Sequence, residues 1–188
     1  MNNFIRIETT DDDIKKTRKI LSQINKTRDY LNYIENHIWN VQKAWNLLKQ
    51  KCKDMRFIHD DWYFNSINNL IENHDLSKLS EFEFIQYRKR FFPTEKEKEI
   101  GIDVKIFEKA WEHHKENNPH HWENWTKQKF KNPYEWEIHC VCMVCDWIGM
   151  SFEFGDSAQE YYEKNKNKIE LPDYAIDFIY EIFKRIKR

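Results

Sequence analysis

Between Leu31 and Leu48 the apolar residues Leu31, Ile34, Ile38, Val41, Trp45 and Leu48 fall at successive spacings of 3, 4, 3, 4 and 3. Only an α-helix carries such residues on one side, so the chain must bury a long helix face against other apolar surface. The predicted helix spans about residues 12–52. Thr10 or an early aspartate caps it, and the acids of Asp11–Asp13 suit its positive end.

The rest of the chain reads the same way. A second helix is predicted over about 59–74, with Phe64, Ile67, Leu70, Ile71 and His74 facing inward. Ser80 followed by Glu83 has capping-box spacing and opens a third helix, EFEFIQYRKRFF, which Pro93 ends. Its basic run Tyr87-Arg88-Lys89-Arg90 reads as a solvated face. The segment 92–101, with its EKEKE run, reads as an exposed loop. Val104, Phe107, Trp111 and His114 stripe a helix over about 103–115, and KENNPHHWENW, from Lys115 to Trp125, reads as a loop around Asn118-Pro119. Asn132, Pro133 and Glu135 start a helix over about 133–152. Helices over about 157–166 and 173–187 close the chain, the last with Ile176, Ile179, Phe183 and Ile186 inward. With 3 Gly and 4 Pro in 188 residues, there is little material for the tight turns of a β-rich fold. The expectation is all-α, a single helical bundle of about six to seven helices over 1–188, with its core at about 30–170.

Composition narrows the function classes. Aromatics reach 16%, which fits a packed core and not a disordered chain. Gly101, Gly149 and Gly155 cannot write GxGxxG or GxxxxGK[ST], so Rossmann and P-loop nucleotide binding are excluded. A formal net charge of −1 gives no bulk attraction for nucleic acid or anionic membrane. No apolar run long enough for a signal peptide or transmembrane helix is present, so the expectation is a cytoplasmic protein. Cys52, Cys140, Cys142 and Cys145 read as reduced thiols and small apolar core residues. Helical spacing scatters the last three around the axis, which disfavours a zinc site.

Several polar residues sit where water does not reach. His37 flanks the first stripe, His74 ends the second, and His114 lies on the fourth helix stripe. Asp146 interrupts the apolar VCDWIGM run. A buried carboxylate costs several kcal/mol unless it is paired, hydrogen-bonded or bound to a cation. Each residue alone is an ordinary hydrogen-bonded core position. Together they bring imidazoles and carboxylates from separate helices, the ligand types of Zn, Mn or Fe.

The order His37, His74-Asp75, Asp146 resembles the H…HD…D signature of the HD-domain metal-dependent phosphohydrolases, an all-helical superfamily. The segment from His74 to Lys78, HDLSK, is similar to the HDIGK segment of the HD-GYP branch, where the lysine lies beside the metals and contacts substrate phosphate. The segment from His113 to Trp122 is similar to that branch's HHE…GYP element, in which paired histidines bind further metal. Here no Gly-Tyr-Pro follows, and no histidine lies between Asp75 and His113, so the likeness does not extend to cyclic-dinucleotide hydrolysis. The chain most resembles an uncharacterised family of bacteriophages and their bacterial hosts, carrying HD-[LI]-SK, AW-x-HH, N-x-HHW and DW-x-[GA]-M elements in this order. These stand here at His74–Lys78, Ala110–His114, Asn118–Trp122 and Asp146–Met150.

The resemblance implies a divalent ion (Mn, Fe, Co, Ni or Zn) held by His37, His74, Asp75 and Asp146. Asp75 would bridge to a second ion on His114, with His113, His120 or His121 as further candidates for that metal or for substrate. It implies a phosphohydrolase acting on a nucleotide or other phosphate ester through metal-activated water, with Asp75 and Lys78 as catalytic residues. Trp111 and Trp122 are candidate substrate-stacking residues, or else core. A homodimer is compatible with the apolar helix faces. Two other classes fit the same residues: an HD-fold di-iron oxygenase, and a non-enzymatic phage protein that binds a host partner.

Overall fold

The structure is a computed structural model and describes residues 10–187. The stretch 1–9, part of the polar N-terminus in which no signal-peptide run was found, lies outside them. Among the described residues every regular element is helical: α1 (Asp11–Lys51), α2 (Arg56–His59), α3 (Asp61–Glu72), a 3₁₀ turn (Leu76–Leu79), α4 (Phe84–Phe91), α5 (Glu95–Ile100), α6 (Val104–Asn117), α7 (Trp122–Trp125), α8 (Trp136–Phe154), α9 (Ala158–Asn165) and α10 (Asp173–Ile186). The all-α reading holds, with ten α-helices where six to seven were expected.

The extra helices have local causes. An extra short helix, α2, forms ahead of the second predicted helix, and Asp60 separates the two, its carboxylate accepting from the Trp62 and Tyr63 amides at 3.0 and 3.3 Å to start α3. The segment 92–101 is not a loop. Thr94 and Glu97 form a capping box there, Thr94 N donating to Glu97 at 2.8 Å and Glu97 N to Thr94 Oγ1 at 3.3 Å. The same Glu97 carboxylate is gripped by Arg88 through two bonds of 2.6 and 2.5 Å. Arg88 is therefore buried, while Lys89 and Arg90 keep the solvated face expected of that run. The segment after Lys115 is partly helical too, since α6 runs on to Asn117 and α7 follows the Asn118-Pro119 turn. Further on, Asn132 caps only a turn, its Oδ1 accepting from Tyr134 N at 3.0 Å, and α8 begins at Trp136. Thr10 and Asp13 cap α1 reciprocally, as Ser157 and Glu160 cap α9.

Two apolar clusters organise these elements. The larger joins the second half of α1 to α3, α8, α9 and α10. Its axis is α8, apolar on all sides from Cys140 to Cys145 and buried throughout that run, as a helix without a polar face must be. The four cysteines are free and buried in it, which bears out their reading as core. The smaller cluster is Tyr30, Ile34, Tyr87 and Ala110, packed between α1, α4 and α6. Before Tyr30, α1 is mostly exposed, and Leu31 and Val104, placed inward by their spacing, are 38% and 58% exposed. Among the described residues no single helix is long and apolar enough to cross a membrane.

Helices α1 and α8 pack most extensively and fix what lies between the clusters. They touch at Gly149, where a Cβ would meet Val41 Cγ2 at 3.0 Å, Val41 N at 3.1 Å and the Asn40 carbonyl carbon at 3.2 Å. One turn back from Val41 is His37, and one turn back from Gly149 is Asp146. The close crossing sets these two side chains against each other.

Candidate metal centre

The centre lies where the two apolar clusters meet. α3 stops at Glu72, and Asp75 follows with φ 59° and ψ 14°, the one non-glycine residue of positive φ among those described. Aspartate tolerates this conformation better than most residues, but it still costs on the order of 1 kcal/mol and is kept where packing enforces it. It turns the carboxylate inward between His74 and the 3₁₀ turn. The tight i, i+3 pitch of that turn brings Lys78 back over Asp75, and Lys78 Nζ donates to Asp75 Oδ2.

Four donor atoms converge here. His37 Nε2 lies 3.1 Å from His74 Nε2, 3.1 Å from Asp75 Oδ2 and 3.1 Å from Asp146 Oδ1. His74 Nε2 is 3.4 Å from Asp146 Oδ1 and 3.7 Å from Asp75 Oδ2. Ligands each about 2.1 Å from a shared cation stand roughly 3.0 to 3.4 Å apart, in octahedral or tetrahedral arrangement. A single imidazole N–H cannot serve three partners at once, so the contacts around His37 fit a cation better than a hydrogen bond.

The other oxygen of Asp75 faces a second group. Asp75 Oδ1 is buried without a hydrogen-bond partner, 3.4 Å from His114 Nε2 and 3.5 Å from His120 Nε2. His114, His120 and His121 each place a ring nitrogen within 4.8 Å of the others. His114 Nδ1 lies 2.8 Å from Glu83 Oε2. With that N–H committed to Glu83, a neutral His114 presents only a lone pair at Nε2, and it faces a carboxylate oxygen that can only accept. Two acceptors in a buried contact are reconciled by a cation between them. Among the described residues, three groups are close enough to share a cation: His37, His74 and Asp146; His74, Asp75 and His120; and His114, His120 and His121, all imidazole and carboxylate donors with no thiolate.

The two aspartates, His120 and His121 are held in the form a ligand needs, whereas the acids around His37 draw that imidazole toward its protonated form. Burial opposes ionisation of Asp75 and Asp146. Lys78 and the neighbouring imidazoles nevertheless hold Asp75 well below the usual carboxylate range, and hydrogen bonds from His37 and His74 do the same for Asp146. Burial, with the nearby His74, keeps His120 neutral far below its ordinary value. Burial and His114 bring His121 to about 4. Burial lowers His37 too, but Asp146 and Asp75 outweigh it and raise the group to about 9.

The centre opens into a cavity of about 410 Å³. His37, Asp75, Lys78, His114, His120, His121 and Asp146 line it on the polar side, and Tyr33, Trp111, Trp147 and Tyr161 are among its aromatic walls. Of the residues singled out from sequence, two stand elsewhere. His113 does not join the imidazole cluster, because its Nδ1 bonds Glu83 Oε1 at 2.7 Å and its ring stacks on Phe82. Successive helical residues point about 100° apart, so His113 and His114 cannot both face the centre. Trp122 packs against the main core and lies outside the cavity.

The chain matches, over residues 26–185, a family described as being of unknown function, DUF5662. The chain belongs to DUF5662. No curated protein and no solved structure matches it. The matched span of this DUF5662 chain takes in every residue of the centre and omits the first turns of α1.

Sequence reasoning missed Glu83, fully buried, and the pair Ser77 and Asn118. Asn118 Nδ2 donates to Ser77 Oγ at 2.6 Å and to the His114 carbonyl at 2.7 Å. Glu83 was assigned to a capping box with Ser80, yet Ser80 Oγ has no partner and Glu83 turns inward. The available signal was an acid among apolar residues one helix away from a His-His pair.

Proposed function

We propose that this chain is a metal-dependent phosphohydrolase acting on a nucleotide or other phosphate ester. The reading is carried by one observation: His37 and His74 Nε2, 3.1 Å from each other, each stand 3.1–3.7 Å from both Asp75 Oδ2 and Asp146 Oδ1, beside a buried lysine and a cavity. A divalent transition-metal ion bound there lowers the pKa of water toward neutrality and polarises a phosphoryl oxygen. His37, His74, Asp75 and Asp146 would hold that ion, and the second oxygen of Asp75 stands 3.4 and 3.5 Å from His114 and His120 Nε2. Lys78 supplies a fixed ammonium beside the centre, placed to stabilise charge growing on phosphoryl oxygens in a site with little water. Trp111 and the tyrosines of the cavity wall exclude water and face the organic part of the ester.

A second reading is favoured by the three-imidazole group of His114, His120 and His121. With iron in both positions, the same ligands suit a di-iron oxygenase that consumes dioxygen.

The test loads the protein separately with Mn, Fe, Co, Ni and Zn, then assays generic phosphoesters and nucleotides alongside oxygen uptake. The expected result is one or two metal equivalents per chain and phosphate release, lost with the metal in Asp75→Ala. Lys78→Ala is expected to keep the metal and lose roughly 100-fold or more in turnover. Full turnover in Lys78→Ala would remove that lysine from the chemistry. Iron-dependent oxygen uptake without phosphate release would favour the second reading.

A further inference from the structure

We infer that the cavity selects a phosphate monoester whose organic part is a flat aromatic ring system, and that it discriminates against di- and triphosphates. The inference rests on the phosphohydrolase reading and adds its substrate class.

The charge distribution comes first. Among the described residues Lys78 is the only lysine or arginine that lines the cavity, and its Nζ is already committed to Asp75. Three aspartates line the same space: Asp75, Asp146 and Asp156. Asp156 pairs with the exposed Lys164 at 3.3 Å. Outside the His-Asp centre the described lining therefore carries one charged group, Asp156, and no lysine or arginine, so positive charge is offered to a ligand only at the centre. One phosphate seated there is matched. Further phosphates in a row would lie against Asp156 and bare aromatic walls, where nothing repays their lost hydration.

The walls say what the organic part is. Phe91, Phe154 and Tyr161 are 57%, 67% and 40% exposed, and all three line this cavity. They come from α4, α8 and α9, so three separate helices each spend an exposed aromatic on one opening. Trp147 continues the surface, its ring 5.5 Å from that of Tyr161. Aromatic faces in water gain most from a flat ring laid on them. A volume of about 410 Å³ sits near the small end of ligand cavities, enough for one ring system and one phosphate but tight for a dinucleotide.

The experiment is calorimetric titration of the Mn-loaded protein with inorganic phosphate, methylphosphonate, phenylphosphonate, and the mono-, di- and triphosphates of one nucleoside. Phenylphosphonate is expected to bind about tenfold more tightly than methylphosphonate, and the nucleoside monophosphate about tenfold more tightly than the triphosphate. Phe154→Ala and Tyr161→Ala, both at exposed positions outside the core, are expected to reduce the phenyl-to-methyl ratio at least threefold. Equal binding of the two phosphonates, or a triphosphate bound as tightly as the monophosphate, overturns the inference and leaves the phosphohydrolase reading standing. Failure of inorganic phosphate and of every ester to bind overturns both.

Discussion

Glu83 Oε2 lies 2.8 Å from His114 Nδ1, and this one contact decides which face of the imidazole meets Asp75. The same carboxylate holds His113 Nδ1 at 2.7 Å through its other oxygen. Both histidines thus hang on one fully buried acid, but only His114 reaches the centre. Burial opposes Glu83 ionisation, and the bonds from His114 and His113 hold its pKa below the ordinary value all the same.

Glu83→Gln keeps the shape and removes the charge that orients His114. Such outer partners of metal-bound imidazoles are worth roughly 10–100-fold in metal affinity. Equilibrium dialysis with Co or Mn should show affinity at the His114 position weakened by that factor, with the ion at His37 and His74 retained. His113→Ala should weaken it much less. Equal affinities in the wild type and Glu83→Gln would mean that Glu83 is only a packing residue.

The Val41–Gly149 contact predicts a coupling between packing and the centre. In Gly149→Ala the new methyl meets Val41 and Asn40 backbone atoms at 3.1 and 3.2 Å, which can move only with the helix. Overpacking of this kind costs about 1–3 kcal/mol in denaturant titration. Because His37 and Asp146 sit one turn away, metal affinity should fall in the same variant. A loss of stability with metal binding untouched would separate the helix crossing from the site.

Acid sensitivity should come in part from α5. The bonds from Arg88, with help from Thr94, hold Glu97 at about 2, against 4.5 for an unperturbed glutamate. A carboxylate lowered by folding contributes stability that is complete above its unfolded value and is lost as pH falls from about 4.5 toward 2. Glu97→Gln should lie below the wild type in melting temperature at pH 7, with the gap closing across that window. Parallel curves from pH 7 to 2 would count against the Arg88–Glu97 pair as its source.

How much of this was readable in the sequence depended on whether a residue's role was local. Helical spacing placed Ile34, Val41, Trp45 and Leu48 on the inner face of α1, because periodicity is a property of the helix itself. His37, His74, His114 and Asp146 were legible as polar side chains on apolar helix stripes, while Asp75, His120 and His121 entered through the resemblance of the HDLSK and N-x-HHW elements. His113 stands on Glu83 and Phe82 and not in the imidazole cluster, and a dipeptide repeat says nothing of which member faces inward until the neighbouring helix is placed. Glu83 was hidden by its fit to a local rule, the capping box, which the pull of two imidazoles from α6 overrode. The capping box that did form, at Thr94 and Glu97, went unread inside a charged run that looked like solvated loop.

The claim beneath all of this is that α1, α3 and α8 bring His37, His74, Asp75 and Asp146 around a shared divalent ion. Anomalous diffraction at the Mn edge, from crystals grown with excess Mn, tests it most directly. The account predicts a peak about 2.0–2.2 Å from His37 Nε2, His74 Nε2, Asp75 Oδ2 and Asp146 Oδ1, absent in Asp146→Ala. A well-ordered site in which those four side chains point apart, with no anomalous density between them, would contradict it.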